Sequence, residues 1–271
     1  MRAPAAAKIN LALVVGSTRE DGKHEVLTVL QRIGLVDRIE LDPADRLEVR
    51  GFEGDTIVRG ALEALALKAG VEPRWRARIE KEIPVAGGLG GGSSDAATAL
   101  RLANETLPEP LPPDELHALA ATLGADVPFF LADGPQLGSG DGSTLEPLDL
   151  PQDYWVVLLL PHGATKPSTA SIYGQFDARD GARGWEERRE ALAHALASVA
   201  RARDLAALPP NDLASSPLAE ELLAAGAFRA DVSGAGPTLY GLFHHKGDAE
   251  AARRSLRRLG RTWLTAPAWY G

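Results

Sequence analysis

The chain has 271 residues, with 29 Lys and Arg against 37 Asp and Glu and a formal net charge of −8, which argues against an extended basic surface for nucleic acid. At 45% hydrophobic and 24% charged the composition is that of one large globular domain or two of common size, and disorder or collagen-like repetition is excluded. The absence of cysteine removes disulfides, thiolate nucleophiles and thiolate metal sites.

At the N-terminus, Lys8 and Asn10 interrupt the chain before a signal-peptide core can form, so the cytoplasm is the expected compartment. Residues 8–15 (KINLALVV) alternate as a strand, with Ile9, Leu11, Leu13 and Val15 on one face and Lys8 and Asn10 on the other. Further strands are predicted over 36–41, 46–50 and 76–83, and a helix over 57–69, where Ile57, Ala61, Leu62, Leu65 and Ala69 form a stripe. Ser93-Ser94-Asp95 reads as a helix start that continues through 96–104, and Pro113-Asp114-Glu115 opens a helix that Gly124 stops. The pattern breaks at 147–151, which places a domain boundary near 150. The apolar run over 155–161 is far shorter than the ~20 residues that span a bilayer, and 155–160 reads as a strongly apolar strand. A Pro/Ser/Thr-rich loop follows, then helices over 185–203 and 216–225, a strand over 228–232, a glycine loop, a strand over 238–243, a helix over 247–259 and a strand over 261–266. That order suggests a split βαβ, ferredoxin-like α+β half.

Glycine is the unusual component, and it is concentrated. Five glycines fall in the six positions 87–92, between a strand end at Ile83-Pro84 and a helix that opens with two hydroxyls. Backbone N–H groups in such a loop can turn inward, and the helix dipole adds about half a positive charge, an arrangement that holds phosphate. A plain glycine-rich turn is the alternative, although the extra ordering of glycine costs about 0.5–1 kcal/mol per residue. No Lys precedes Ser93, so this is not a Walker A loop, and the glycine spacing fails the dinucleotide fingerprint. A second cluster, Ser233-Gly234-Ala235-Gly236-Pro237, reads on its own as a turn.

The string from Ile83 to Ala97 resembles the central motif of the GHMP kinases, P-x-x-x-G-L-G-S/G-S-S-A/D-A. The resemblance implies an α+β GHMP kinase fold, with residues 1–150 as a ribosomal protein S5 domain 2-like, ATP-binding half and 151–271 as the ferredoxin-like half. It implies ATP as phosphate donor, held on Pro84-Val85-Ala86-Gly87-Gly88-Leu89-Gly90-Gly91-Gly92-Ser93-Ser94, with Mg²⁺ carried by the ATP phosphates and no separate metal site. Ser233, Gly234, Ala235 and Gly236 resemble the third motif of the family, a loop that closes on the first.

Phosphoryl transfer to an alcohol needs alignment, charge neutralisation and a proton acceptor. Asp126, alone among apolar neighbours in Gly124-Ala125-Asp126-Val127-Pro128, is the candidate acceptor, at the start of a helix opened by Pro128; by itself it also reads as a plain cap. Its string resembles the catalytic-aspartate segment of one GHMP branch. Lys8, by itself a solvated lysine, falls in Pro4 to Leu11, which resembles the first motif, where the lysine lies beside that aspartate. Residues Arg19 to Glu25 and Lys166 to Tyr173 resemble the segments of the same branch that hold cytosine through a histidine, here His24, and an aromatic ring, here Tyr173. The implied substrate is cytidine diphosphate-linked methylerythritol, phosphorylated on its 2-hydroxyl in the non-mevalonate route to isoprenoid precursors, with Asn10 also addressing it. By themselves His24 reads as a solvated histidine and Tyr173 as a core or rim aromatic. The six histidines, at 24, 117, 162, 194, 244 and 245, offer no metal pair near His24. Asn211-Asp212-Leu213 matches a family step and reads as a structural helix start. Three positions depart from the pattern: Lys23 stands where an aromatic is expected, Asp55 where Asn is usual, and Ser143 where a Glu is common. Homoserine- or mevalonate-type kinases and a non-catalytic nucleotide-binding module are the alternatives. Nucleic-acid and membrane partners are not expected.

Overall fold

The computed structural model describes residues 1–52, 57–165 and 168–268; Asp55 and Lys166, named above, lie outside the described residues. The elements in chain order are β1 (Arg2–Thr18), β2 (His24–Pro43), β3 (Glu48–Arg50), α1 (Ile57–Ala69), β4 (Trp75–Glu80), α2 (Gly91–Asn104), α3 (Pro113–Leu123), β5 (Gln136–Ser139), β6 (Thr144–Pro147), β7 (Trp155–Pro161), α4 (Thr169–Ala178), α5 (Trp185–Ala197), α6 (Leu218–Ala224), β8 (Arg229–Val232), β9 (Leu239–Phe243), α7 (Lys246–Leu256) and β10 (Gly260–Thr265). They form two compact units, each assembled from separate stretches of chain.

The first unit comprises Met1–Ala7, Leu35–Val85 and Gly90–Asp133. Here β4 pairs antiparallel with the second part of β2, Ile39 opposite Ile79, and parallel with β3. The apolar face of α1 buries Val58, Ala61, Leu62, Leu65 and Ala66, the i, i+3, i+4, i+7 spacing of a one-sided helix, whereas Ile57 and Ala69, expected on the stripe, are respectively exposed and half-buried because the face is centred one residue away. It packs on α2, whose small alanines (Ala96, Ala97, Ala99, Ala103) are buried on several sides and permit close approach. Pro113 starts α3 with two acids in its first turn, and the helix stops before Gly124 as predicted. Pro128, however, opens only a four-residue 3-10 turn, Pro128–Leu131, rather than a helix; Asp126 sits in the turn before it.

The second unit comprises Lys8–Gly34, Ala86–Leu89 and Gly134–Gly271. Its four-stranded sheet has the order β10-β7-β9-β8, antiparallel throughout, which is the fourth-first-third-second order of a split βαβ. The apolar run of β7 lies between β10 and β9 and is buried over Val156–Leu159, while α6 and α7 cover the sheet with Leu222, Ala249, Ala252 and Leu256. In the same unit the first part of β2 pairs with β5, and β5 with β6.

Several sequence expectations change. The segment over 168–178 was expected as loop; it contains α4, with Ser168 Oγ accepting the Ser171 N–H at 3.1 Å. The helix expected over 185–203 ends at Ala197. Residues 24–35, 136–139 and 144–147 are strands that alternation did not reveal. Among the described residues no helix is long and apolar enough to cross a membrane.

Candidate active site

The densest convergence of motif residues lies within the second unit. The backbone turns through positive φ at Ala86 (55°), Gly88 (82°) and, on the other loop, Gly234 (56°) and Gly236 (72°). A left-handed conformation is sterically costly for the alanine, so its surroundings must hold it there. The two loops cross at Gly88. Ser233 Oγ donates to the Gly88 carbonyl at 3.0 Å, and the Thr238 N–H donates to the Gly87 carbonyl at 3.2 Å. A Cβ at Gly88 would lie 2.3 Å from the Ser233 carbonyl oxygen and 2.9 Å from that of Gly236, so only glycine fits.

Lys8 and Asn10 stand at the same crossing. The Lys8 N–H donates to the Leu89 carbonyl at 2.9 Å, and Lys8 Nζ donates to Asn10 Oδ1 at 2.6 Å. Asn10 Nδ2 donates to Thr28 Oγ1 at 2.8 Å, and Thr28 Oγ1 to the Ala12 carbonyl at 2.8 Å, which fixes the amide from behind. A Cβ at Gly234 would come within 3.3 Å of both Asn10 Oδ1 and Lys8 Nζ. A buried ammonium, an oriented amide and two glycine loops therefore share one neighbourhood.

Asn211, expected as a helix start, opens no helix, since α6 begins only at Leu218; its side chain instead ties a loop. Its Nδ2 donates to the carbonyls of Val232 (2.9 Å) and Gly234 (2.6 Å), while Oδ1 accepts the N–H groups of Leu213 (2.8 Å) and Ala214 (3.3 Å). The residue thus pins the second glycine loop, a role its local sequence did not signal.

His24 is buried rather than solvated. It opens β2, stacks on Tyr173 of α4 with centroids 4.6 Å apart and planes at 26°, and meets the Phe176 ring edge-on at 5.9 Å. Its Nε2 lies 2.7 Å from Asp177 Oδ1; a carboxylate only accepts, so Nε2 carries the proton in this contact. The two rings already touch, so a third ring would have to use another face or edge of the pair. Beside this corner Lys23 pairs with Asp141, whose Oδ1 also accepts Ser143 Oγ at 2.6 Å and the Ser143 N–H at 3.1 Å. Two departures from the family pattern, Lys23 and Ser143, thus join on one carboxylate. Partial burial works against its charge, but the ammonium and the two serine donors outweigh it and hold Asp141 at about 2.

In the first unit, α2 begins after Gly90, which has φ 69° and supplies no side-chain cap. No N-cap side chain therefore competes with an anion for its first-turn amides. Ser93 is half-buried and Ser94 buried. Asp126 is half-buried in the turn closed by the Val127 N–H to the Gly124 carbonyl at 3.1 Å. Among the described residues no group of three or more His, Cys, Asp or Glu could hold a metal ion.

Residues 56–134 match the family described as GHMP kinases N terminal domain, and residues 188–262 the one described as GHMP kinases C terminal. The chain is 37% identical to a 4-diphosphocytidyl-2-C-methyl-D-erythritol kinase of Geobacter sulfurreducens, over 98% of this chain and 96% of that one. It is 39% identical to a protein of the same name from Rhodococcus jostii, over 88% and 81%. A crystal structure of 4-(cytidine 5'-diphospho)-2C-methyl-D-erythritol kinase matches with TM-score 0.79 and 32% identity, covering 99% of this chain and 100% of that one. L. major mevalonate kinase in complex with R-mevalonate matches at TM-score 0.75 and 16% identity, over 100% and 97%, a likeness of fold alone.

Proposed function

The chain belongs to the GHMP kinases and, within them, to the 4-diphosphocytidyl-2-C-methyl-D-erythritol kinases, and from that premise we propose which of its residues carry the reaction. It catalyses ATP-dependent phosphorylation of 4-diphosphocytidyl-2-C-methyl-D-erythritol in the isoprenoid precursor pathway that bypasses mevalonate. The acceptor is the 2-hydroxyl: its oxygen bonds to the γ-phosphorus, the bond from phosphorus to the bridging oxygen breaks, and ADP and the 2-phosphate leave. Asp126 receives the hydroxyl proton. Lys8 offsets the negative charge that develops at the transferred group, and Asn10 holds Lys8 and faces the acceptor.

The ATP phosphates lie on Pro84 to Ser94. The observation that carries this reading is the Gly88 crossing, where a Cβ would strike backbone on the opposing loop, so that only bare backbone, the kind that can approach an anion closely, fits. Within the first unit, the start of α2 has no N-cap side chain to compete with an anion for its amides. Mg²⁺ would supply charge neutralisation on the ATP phosphates. Ser233, Gly234, Ala235 and Gly236 close on the first loop, while His24 and Tyr173 present their rings to the cytosine. The two family matches fall on either side of residue 150, which supports reading 1–150 as the ATP-binding portion and 151–271 as the ferredoxin-like portion. A cytoplasmic location suits the cysteine-free composition and the soluble nucleotide substrates.

Asp126→Asn tests the proton acceptor. Single-turnover transfer is expected to slow about 10²–10⁴-fold, with ATP binding intact. An unchanged rate would remove Asp126 from the role.

A further inference from the structure

The two ends of the ATP loop are joined by a charge cluster that has no part in the roles above. Asp37, on β2, is 0% exposed; its Oδ1 accepts the N–H groups of Glu82 (2.6 Å) and Ile83 (2.8 Å), and its Oδ2 accepts from Lys81 Nζ. The same Nζ donates to Asp95 Oδ2 at 2.7 Å. Asp95, in the second turn of α2, is 1% exposed, and its Oδ1 has no hydrogen-bond partner among the described residues. A Cβ at Gly91 would stand 3.0 Å from Ile83 Cγ2 and 3.3 Å from Lys81 Nζ, so the helix start rests directly on the cluster.

Two buried carboxylates therefore share one ammonium. An uncompensated buried charge is expensive, and the economical state of such a cluster keeps one proton. Asp37 already receives three donors, which leaves Asp95 as the carboxyl that holds it. Burial pushes the Asp95 carboxyl up to about 8, against the attraction of Lys81 and with the help of repulsion from Asp37. The charged groups that act on it are Lys81, on the segment after β4, and Asp37, on β2; the buried faces of α1 and α3 in this unit are apolar.

We propose that Asp37, Lys81 and Asp95 are positioning residues for the ATP loop, the Lys81 bridge setting the spacing between the entering segment at 81–84 and the first turns of α2, with one proton on Asp95. The inference rests on reading residues 84–94 as the ATP loop. When the proton leaves, a second carboxylate charges inside the helix start that must receive an anion, and ATP binding weakens while acceptor binding does not.

The test is KM for ATP and KM for the cytidyl substrate, measured separately on the full chain from pH 6.5 to 9.5. For the unaltered protein KM for ATP is expected to rise above pH 8, by up to about tenfold per unit, with KM for the acceptor level. Asp95→Asn keeps the shape without the proton: it should match the parent at pH 7 within about twofold and lose the rise. Lys81→Met should raise KM for ATP about tenfold at pH 7 and leave kcat within threefold, and Lys81→Arg should restore most of the loss. A rise that persists in Asp95→Asn, or a loss of both substrates in equal measure, overturns the proposal. Should Lys81→Met not fold, Asp95→Asn still decides. Gly88→Ala separates the two readings: if it leaves KM for ATP unchanged, the ATP loop is misassigned, whereas if it raises that KM while Asp95→Asn keeps the pH rise, only the present inference fails.

Discussion

The crossing at Gly88 is built from backbone, and the corner around His24 is built from side chains. At the crossing, two loops meet through carbonyls and N–H groups at distances that exclude a Cβ, so the requirement is written as glycine and can be seen in the chain. At the corner, a histidine, a tyrosine, a phenylalanine and an aspartate arrive from β2 and α4, and each residue type is common elsewhere. Backbone recognition tolerates no substitution and discriminates little among phosphate-bearing ligands. Side-chain recognition is adjustable, and it is where preference for one base over another can be set.

The difference can be broken by substitution, beginning at the crossing. Gly88→Ala adds a Cβ 2.3 Å from the Ser233 carbonyl at a φ of 82°. Left-handed strain of about 1–2 kcal/mol and overpacking of about 1–3 kcal/mol are expected together, and kcat/KM for ATP should fall at least a hundredfold. Steady-state kinetics with a parallel thermal melt checks this; a folded, fully active variant would show that the loops do not meet as described. Asn211→Ala leaves two loop carbonyls and two N–H groups without their partner, and a loss of about 2–4 kcal/mol is expected in urea unfolding, together with reduced kcat. Asn211→Asp, which keeps the acceptor oxygen but turns the donor into an acceptor, should remain impaired.

Much of the fold was legible for the same reason that the crossing was. A one-sided stripe defined α1, the Pro113 start and Gly124 stop defined α3, and the apolar run from Trp155 marked a buried strand. Residues 24–35 were missed because most of that strand is buried on both faces, leaving no alternation to read. The strands β5 and β6 are four residues each, one with a glycine and the other with a proline, and α4 mixes Gly, Thr and Ser with few strong helix formers. In the site, the glycines, Lys8 and Asp126 sit inside recognisable strings. Asp177, Asp141 and the loop-pinning role of Asn211 depend on partners remote in sequence, and no local pattern announces a contact that only tertiary folding makes.

Smaller effects should appear at the corner. His24→Ala is expected to raise KM for the cytidyl substrate about tenfold while KM for ATP stays within twofold, because the ring lies with Tyr173 and away from the loop motif in sequence. Equal changes in both KM values would place His24 in the fold rather than in base recognition. Asp177→Asn, which replaces a charged acceptor of the Nε2 proton with a neutral amide, should produce a weaker form of the same split. The smallest change belongs to the pair of exposed Lys23 with half-buried Asp141. Asp141 is held at about 2, below its unfolded value, so its contribution is present above about pH 4 and is lost as pH falls toward 2. Lys23→Met should weaken that acid dependence of the unfolding midpoint, the two Ser143 donors keeping the rest, and change stability at neutral pH by under about 1 kcal/mol.

The most direct measurement is ADP release with four alcohols offered in turn: 4-diphosphocytidyl-2-C-methyl-D-erythritol, homoserine, mevalonate and galactose. The proposed backbone hold on ATP and the proposed cytosine corner together lead to kcat/KM for the cytidyl substrate about a thousandfold or more above the other three. Equal turnover of homoserine or mevalonate, or preference for either or for galactose, would contradict it.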